Sequence, residues 1–345
     1  PDQPGGSAHV TDVSAVICAY GPQPYLRDAV AALRASREVS VEVIVVDNGS
    51  PDCADLDGGV RVLRPGTNTG FAGGCNLGAE AARGATLTFV NSDALVDPDC
   101  LARLHRAASH PGTGLAGATI LIADEPDAVN SWGNPVHLLG FSWAGGYGHP
   151  VREVIGGRVA SVSGAVFAVR RDVFADLGGM DPQYFAYGED VDLSLRCWLR
   201  GLEVVVLPDA LARHHYDFSR NHLKMYLLER NRLITVLTTY RARTLIGLAP
   251  LLLAAEAALY ARSRREGWGA QKAAGWRWLA GHRRYLRARR NRVQGTRRVD
   301  DETLFEVLAV DLDPPARFGM SPPARWRQAI GGYWQQVGRR VAGFG

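Results

Sequence analysis

Five groups of residues in this chain have types and spacings suited to chemistry. Asp47-Asn48-Gly49-Ser50 follows an apolar run; its polar side chains either close an Asx turn or face a ligand. Gly66-Thr67-Asn68-Thr69-Gly70-Phe71-Ala72-Gly73-Gly74-Cys75-Asn76 is a glycine-rich stretch leading into a helix. There the backbone can approach a ligand closely, and free helix N–H groups can meet phosphate. It lacks the Gly-Lys-Ser/Thr ending of an ATPase loop. Asn91-Ser92-Asp93, followed by Asp97 and Asp99, offers oxygen donors suited to Mg²⁺ or Mn²⁺ bridging to a diphosphate. Asp97 and Asp99 read better as caps of a helix beginning near Cys100, which leaves Asp93 needing another reason. Gly188-Glu189-Asp190-Val191-Asp192 opens a helix; dipole pairing accounts for Asp192 well and for Glu189 and Asp190 only in part. His214-His215 are either metal ligands or loop residues.

These groups fall at the ends of elements that would position them. Short apolar runs at Val13–Cys18, Val41–Val46, Val60–Leu63 and Ala85–Val90 read as buried strands. Between them, Tyr25–Arg37 has apolar residues at Leu26, Ala29, Val30 and Leu33, the spacing of an amphipathic helix, and 73–83 forms a small-residue helix. Continuous apolar strands alternating with helices predict a parallel sheet covered on both faces, with ligands outside the carboxyl ends of the strands. Gly112 to Val169 reads as loops and short strands, firming into a strand at Ser163–Val169. A short helix at Asp172–Leu177, a helix at Val191–Arg200 stopped by Gly201, and a buried strand at Val204–Pro208 follow. Long helices take over from about Leu223.

No single group decides a function, but their order does. The stretches VSAVICAYG, VIVVDNGS, NTGFAGGCNLG, TFVNSDALVDPD, SGAVFAVRRDVF, GGMDPQYFAYGEDVDLSLR and PDALARHHYDFS together resemble the inverting family-2 glycosyltransferases, in particular the bacterial rhamnosyltransferase-like branch. The resemblance implies a GT-A fold of the α/β class: a Rossmann-like, mostly parallel sheet with helices on both faces. It covers roughly residues 12–240, leaving 1–11 as a flexible leader and 241–345 as a helical, basic C-terminal appendage. By that resemblance Ala19, Tyr20, Gly21, Asp47 and Asn48 hold the nucleotide, and Asn68, Gly70, Phe71 and Asn76 line the donor diphosphate and sugar. Asn91, Ser92 and Asp93 correspond to the acidic metal motif, with Asp93 the metal-binding carboxylate; Asn91 stands where many relatives carry a first Asp. His214 is the implied further contact to Mg²⁺ or Mn²⁺, with His215 the alternative. Asp190 is the implied general base, and Trp132, Gly164, Tyr187 and Glu189 fall on the acceptor side. A nucleotide-sugar donor and a lipid-linked or polysaccharide acceptor of the cell envelope follow as partners. A nucleotidyltransferase on a related sheet would need basic residues in an N-terminal glycine-rich loop, and Ala19-Tyr20-Gly21-Pro22 supplies none. A non-catalytic sugar-nucleotide-binding module is the third reading, against which the presence of both Asp93 and Asp190 argues.

The charge distribution adds a second feature. The net charge of the 345 residues is +4, but residues 241–300 hold fourteen Arg and Lys272 against Glu256, Glu266 and Asp300. A +12 segment therefore adjoins a body of net −8. An apolar run from Leu245 to Tyr260, broken by Pro250 and Glu256, reads as interfacial or packing rather than membrane-spanning. With Trp268, Trp276, Trp278 and the Arg-rich stretch behind it, the segment suits an anionic membrane surface; a solvated face or a homodimer contact suits it nearly as well. Nucleic acid ranks last, since no nucleic-acid module accompanies the basic stretch. Five cysteines without a C-x-x-C pair, and no N-terminal signal pattern, predict reduced thiols in the cytoplasm, and the basic segment predicts a peripheral place at the inner face of the plasma membrane.

Overall fold

Strand β1 (Val13–Ala19) alternates its burial between two cores. Val13, Ala15 and Ile17 face helix α1 (Leu26–Arg34), while Val16 faces the opposite side of the sheet. This two-sided burial is why the strand reads as one apolar run. In the computed structural model, residues 11–56, 58–215, 221–315 and 323–344 are described; the expected leader at 1–11 falls almost wholly outside them. After β1 and α1 come β2 (Val41–Asp47), β3 (Arg61–Leu63), α2 (Gly70–Ala81), β4 (Thr86–Val90), β5 (Ala94–Val96) and α3 (Cys100–Ala108). Strands β1 to β4 pair in parallel in the order β3-β2-β1-β4, as the alternating pattern predicts.

The sheet then departs from the expected pattern. Residues 113–122, expected as loops and short pieces, form the ten-residue strand β6 (Thr113–Ile122), flanked by β7 (Glu125–Ser131). Its Gly114 and Gly117 obscure the strand pattern because neighbours fill their space. A Cβ on Gly114 would lie 2.7 Å from Cys197 Cβ, and one on Gly117 would lie 2.8 Å from a Val162 methyl. After β8 (Gly157–Arg158), β9 (Val166–Arg170) inserts antiparallel between β4 and β6, so the sheet is mixed. Helix α4 (Arg171–Asp176) and helix α5 (Glu189–Leu199) follow, the latter beginning at Glu189 rather than Val191. Gly201, at φ +74°, ends that helix region.

The next strand, β10 (Glu203–His214), does not stop at Pro208. It continues beside β6 through a register shift between Leu207 and Leu211, and so carries His214 as its last residue rather than as part of a loop. Asp97 and Asp99 likewise differ from the cap reading: Asp97 pairs with Arg213 on β10, and the Asp99 side chain makes no cap hydrogen bond.

Helix α6 (His222–Thr239) meets α5, and α7 (Ala242–Arg265), α8 (Gly269–Gly281) and α9 (Arg283–Thr296) pack around α6 and one another; α10 (Asp301–Phe305), α11 (Ala324–Tyr333) and α12 (Arg339–Ala342) follow. Helix α7 is continuous through Pro250 and, by length and composition, is long and apolar enough to cross a membrane. The sequence reading that Pro250 and Glu256 break it is therefore corrected. Glu256 is accommodated because it is ion-paired with Arg232 of α6 and Lys272 of α8. Lys272 is fully buried and also meets Glu229, so the four side chains form one neutral cluster joining α6, α7 and α8. Burial alone would raise the Glu229 carboxyl; Arg232 and Lys272 outweigh it and hold the group below its ordinary value. Arg289 of α9 is buried on Asp181 and Asp192, the latter within α5. Part of the basic segment is thus neutralised inside the molecule, while Arg277, Arg283, Arg284, Arg287 and Arg292 stay exposed.

Candidate active site

A cleft of about 1040 Å³ opens at the carboxyl ends of β1 and β4. Its floor is set by close backbone contacts. Gly70 takes φ +72°, and a Cβ there would lie 2.4 Å from the Phe185 carbonyl oxygen, so only glycine lets the first turn of α2 meet the segment before α5. Asn68 Oδ1 accepts from the Gly70 N–H at 2.8 Å. Asn48 is buried; its amide donates to the Gly70 carbonyl at 2.9 Å, and its Oδ1 accepts from the Thr69 hydroxyl at 2.9 Å.

On the far wall, Asp93 Oδ1 lies 3.0 Å from His214 Nε2, and the Asn91 amide nitrogen lies 3.4 Å from the same ring nitrogen. The extension of β10 brings this about, antiparallel pairing with β5 setting His214 opposite Ala94. His215 turns the other way and stacks on Tyr25 at 3.8 Å. Between the alternatives, His214 is therefore the one beside Asp93.

The acidic pair sits at the start of α5, where Phe185, Tyr187 and Gly188 all have positive φ (62°, 68° and 85°). That turn is held by Asn231 of α6, whose amide donates to the carbonyls of Tyr184, Ala186 and Tyr187 at 2.9, 2.9 and 2.7 Å. Arg230 adds bonds to the Gln183 and Tyr184 carbonyls at 2.6 and 3.0 Å. Asp190 lines the cleft and accepts two backbone N–H groups, from Gly164 at 2.9 Å and from Val191 at 2.8 Å. A Cβ on Gly164 would crowd Asp190 Oδ2 at 3.2 Å. Glu189 is buried beside it, and its Oε2 has no hydrogen-bond partner among the described residues. Burial, then the neighbouring Asp190 charge, pushes the Glu189 carboxyl up to about 8. Burial also raises Asp190, against which its two N–H donors work. The bonded carboxylate keeps its charge more readily, so of the two Glu189 takes up a proton first.

Most of the expected residues converge here. Tyr20, Asn48, Asn68, Gly70, Phe71, Asn91, Ser92, Asp93, Gly164, Tyr187, Glu189, Asp190 and His214 all line the cleft. Five others are elsewhere. Ala19 is buried in the core, and the Gly21 N–H donates to the Gly49 carbonyl. Asp47 closes a turn by accepting from the Gly49 and Ser50 N–H groups and faces Arg64, which matches the Asx alternative. Asn76 clasps Met180 through both its amide atoms, bracing the segment before α5 rather than facing the cleft. Trp132 packs on His149 and against Gly146; it is Trp143 that reaches the cleft wall. Sequence reasoning missed Asn231 and Arg230, which look like ordinary polar residues of a helix rich in apolar ones. It also missed Lys224, one of only two lysines in the chain, which lines the cleft and lies over the Tyr187 ring at 5.4 Å. The Tyr216–Ser219 part of the last matching stretch lies outside the described residues.

A mixed sheet of this order, with the acidic pair and the Asp93–His214 contact around one cleft, defines a GT-A glycosyltransferase architecture. A family model described as glycosyltransferase like family 2 matches residues 11–235, and the chain belongs to that family. The N-acetylglucosaminyl-diphospho-decaprenol L-rhamnosyltransferase of Mycobacterium tuberculosis (strain ATCC 25618 / H37Rv) is 30% identical over 236 residues, covering 60% of this chain and 77% of that protein. The O-antigen biosynthesis protein RfbC of Myxococcus xanthus is 33% identical over 159 residues, 42% of this chain but only 12% of that much longer protein. A crystal structure of GalNAc-T7 with UDP, GalNAc and Mn²⁺ shares the fold at a TM-score of 0.56 and 17% identity, covering 72% of this chain and 52% of that one.

Proposed function

We propose that the chain transfers a sugar, with inversion, from a nucleoside-diphosphate sugar to a hydroxyl of a lipid-linked or polysaccharide acceptor of the cell envelope. The observation that carries this is Asp190, a carboxylate fixed by two backbone N–H groups and facing the same cleft as Asp93 and His214. Asp190 takes the proton of the acceptor hydroxyl as that oxygen bonds to the anomeric carbon. The bond from that carbon to the donor phosphate breaks, and the nucleoside diphosphate leaves with the electron pair. A general base so held contributes on the order of 10²–10⁴-fold. Glu189, carrying the proton, keeps a second negative charge from building up beside the base. Asn68 and the Gly70 turn, with Tyr20 at the mouth, orient the donor.

Asp93 and His214 would hold Mg²⁺ or Mn²⁺. The Asp93 carboxylate and the His214 ring nitrogen, 3.0 Å apart on the cleft wall, are one oxygen and one nitrogen donor of kinds such an ion accepts. When bound, the ion would offset charge on the departing diphosphate. The relative named as an L-rhamnosyltransferase supports a rhamnosyl donor, and dTDP-rhamnose is the nucleotide sugar proposed, with UDP- or GDP-sugars the alternatives. The exposed Arg side chains of α8 and α9 support a peripheral position at the inner face of the plasma membrane.

A thermal-shift screen of dTDP-, UDP- and GDP-sugars with Mg²⁺ or Mn²⁺ tests the reading. One nucleotide sugar should raise Tm, and Asp93→Ala should remove the metal-dependent part of that rise. A screen in which no nucleotide sugar stabilises the chain contradicts the transferase reading.

A further inference from the structure

The cleft continues past the acidic pair, between α7 and α11, and its lining there turns aliphatic. Leu251, Ala254, Ala255, Ala258, Leu259 and Arg262 line it from α7. Their spacing of three and four residues places them on one helical stripe. Trp326 and Ile330, about one turn apart on α11, line it from the other side. The other faces of α7 are differently engaged. Glu256 is ion-paired to α6 and α8, Tyr260 packs on Trp276 at 5.2 Å, and Ile246 and Leu253 point outward, 64% and 72% exposed. Ala254 and Ala258 are exposed, so small side chains leave the floor of the trough open rather than packed.

Besides Arg232, which is spent on Glu229 and Glu256, two cationic side chains line this cleft: Lys224 at the start of α6, over the Tyr187 ring, and Arg262 at the end of the stripe, where Glu266 pairs with its Nε at 2.6 Å. At the polar end, buried Glu189 presents a carboxyl oxygen without a protein partner among the described residues. One cleft thus offers an aliphatic trough, cations and a hydrogen-bonding carboxyl pair. That sequence of chemistries matches a molecule with a hydrocarbon chain, a phosphate or diphosphate, and a sugar hydroxyl. A purely saccharide acceptor would find no hydrogen-bonding side chain at Leu251, Ala254, Ala255, Ala258 or Leu259.

We propose that the α7–α11 trough holds the polyisoprenoid chain of a lipid-linked acceptor, with its phosphates at Lys224 and Arg262 and its sugar hydroxyl at Asp190. This rests on the transferase reading for the position of the hydroxyl, but the trough is tested without turnover. The full chain in detergent micelles is photolabelled with a benzophenone-bearing polyprenyl diphosphate, and the labelled peptides are mapped. Label is expected in peptides containing 251–262 and 324–333. Ala258→Trp, which fills the trough, should cut labelling about tenfold or more, whereas Ala257→Trp, on the outer face, should leave it unchanged. Trp326→Ala, from the exposed side of the facing wall, should weaken labelling without threatening the fold, and a retained thermal shift with the donor shows that each variant is folded. Absent label, label confined to the Ile246–Leu253 face, or labelling indifferent to both Ala258→Trp and Trp326→Ala overturns the proposal. Once a donor is known, equal KM values for short-alkyl and polyprenyl acceptors would overturn the trough and leave the transferase reading standing. Mapped label with no transfer to any acceptor would do the reverse.

Discussion

Glu189 and Asp190 are neighbours in sequence with unlike surroundings. Asp190 accepts two backbone N–H groups, while Glu189 Oε2 is buried with none among the described residues. The folded chain holds the Glu189 proton from its ordinary value of 4.5 up to about 8, whereas the unfolded chain releases it earlier. Stability contributed through this group therefore falls as pH rises through that window. Glu189→Gln should raise Tm, with the gain growing from about pH 5 to about pH 8, at roughly 2 °C per kcal/mol for a chain of this size. Scanning calorimetry across pH checks this; a gain independent of pH would mean that Glu189 is ionised in the folded state. The pair was legible in the sequence as a motif. Its division of labour was not, because the Gly164 N–H that distinguishes the two carboxylates comes from 26 residues upstream. Asp47, Asn76 and Trp132 are site residues by the family resemblance, which carries no side-chain direction. Direction of the side chain, set by turn geometry and by Met180 and His149, decides otherwise.

The elements legible in the sequence are those with two-sided burial, β1, β2 and β4, and the amphipathic α1. Strand β6 was hidden because Gly114 and Gly117 stand where Cys197 and Val162 press against the sheet, a packing reason that no local pattern carries. The end of β10 was hidden by Pro208, which the strand passes by shifting register. Both corrections matter to function, since the longer β10, paired with β6 up to His214↔Ile122, delivers His214 to Asp93. The turn before α5 depends on another distant element. Two non-glycine residues at positive φ cost about 1–3 kcal/mol each, and Asn231 satisfies three carbonyls of that turn. Asn231→Ala should displace Asp190, lowering kcat by about 10²-fold with little change in donor affinity. Paired turnover and calorimetric titrations check this, and an unchanged kcat would assign Asn231 to stability alone.

At the scale of the molecule, the +12 segment divides into two populations. Lys272 and Arg289 are buried on acidic partners and fasten α8 and α9 to the rest of the chain, while Arg277, Arg283, Arg284, Arg287 and Arg292 face outward. The outer group should drive flotation with anionic vesicles, each residue adding about 1 kcal/mol near the surface. Binding should weaken with salt and with Arg283→Glu plus Arg287→Glu, while neutral vesicles should bind poorly; binding indifferent to lipid charge would leave these side chains without that role. The sheet, the turn before α5 and the helices locked behind it converge on one carboxylate. The measurement that tests this most directly compares wild type and Asp190→Asn, using the stabilising nucleotide sugar, for both transfer rate and donor affinity. The account predicts a loss of transfer on the order of 10²–10⁴-fold with donor affinity within about twofold of wild type. A variant that keeps most of its turnover would contradict it.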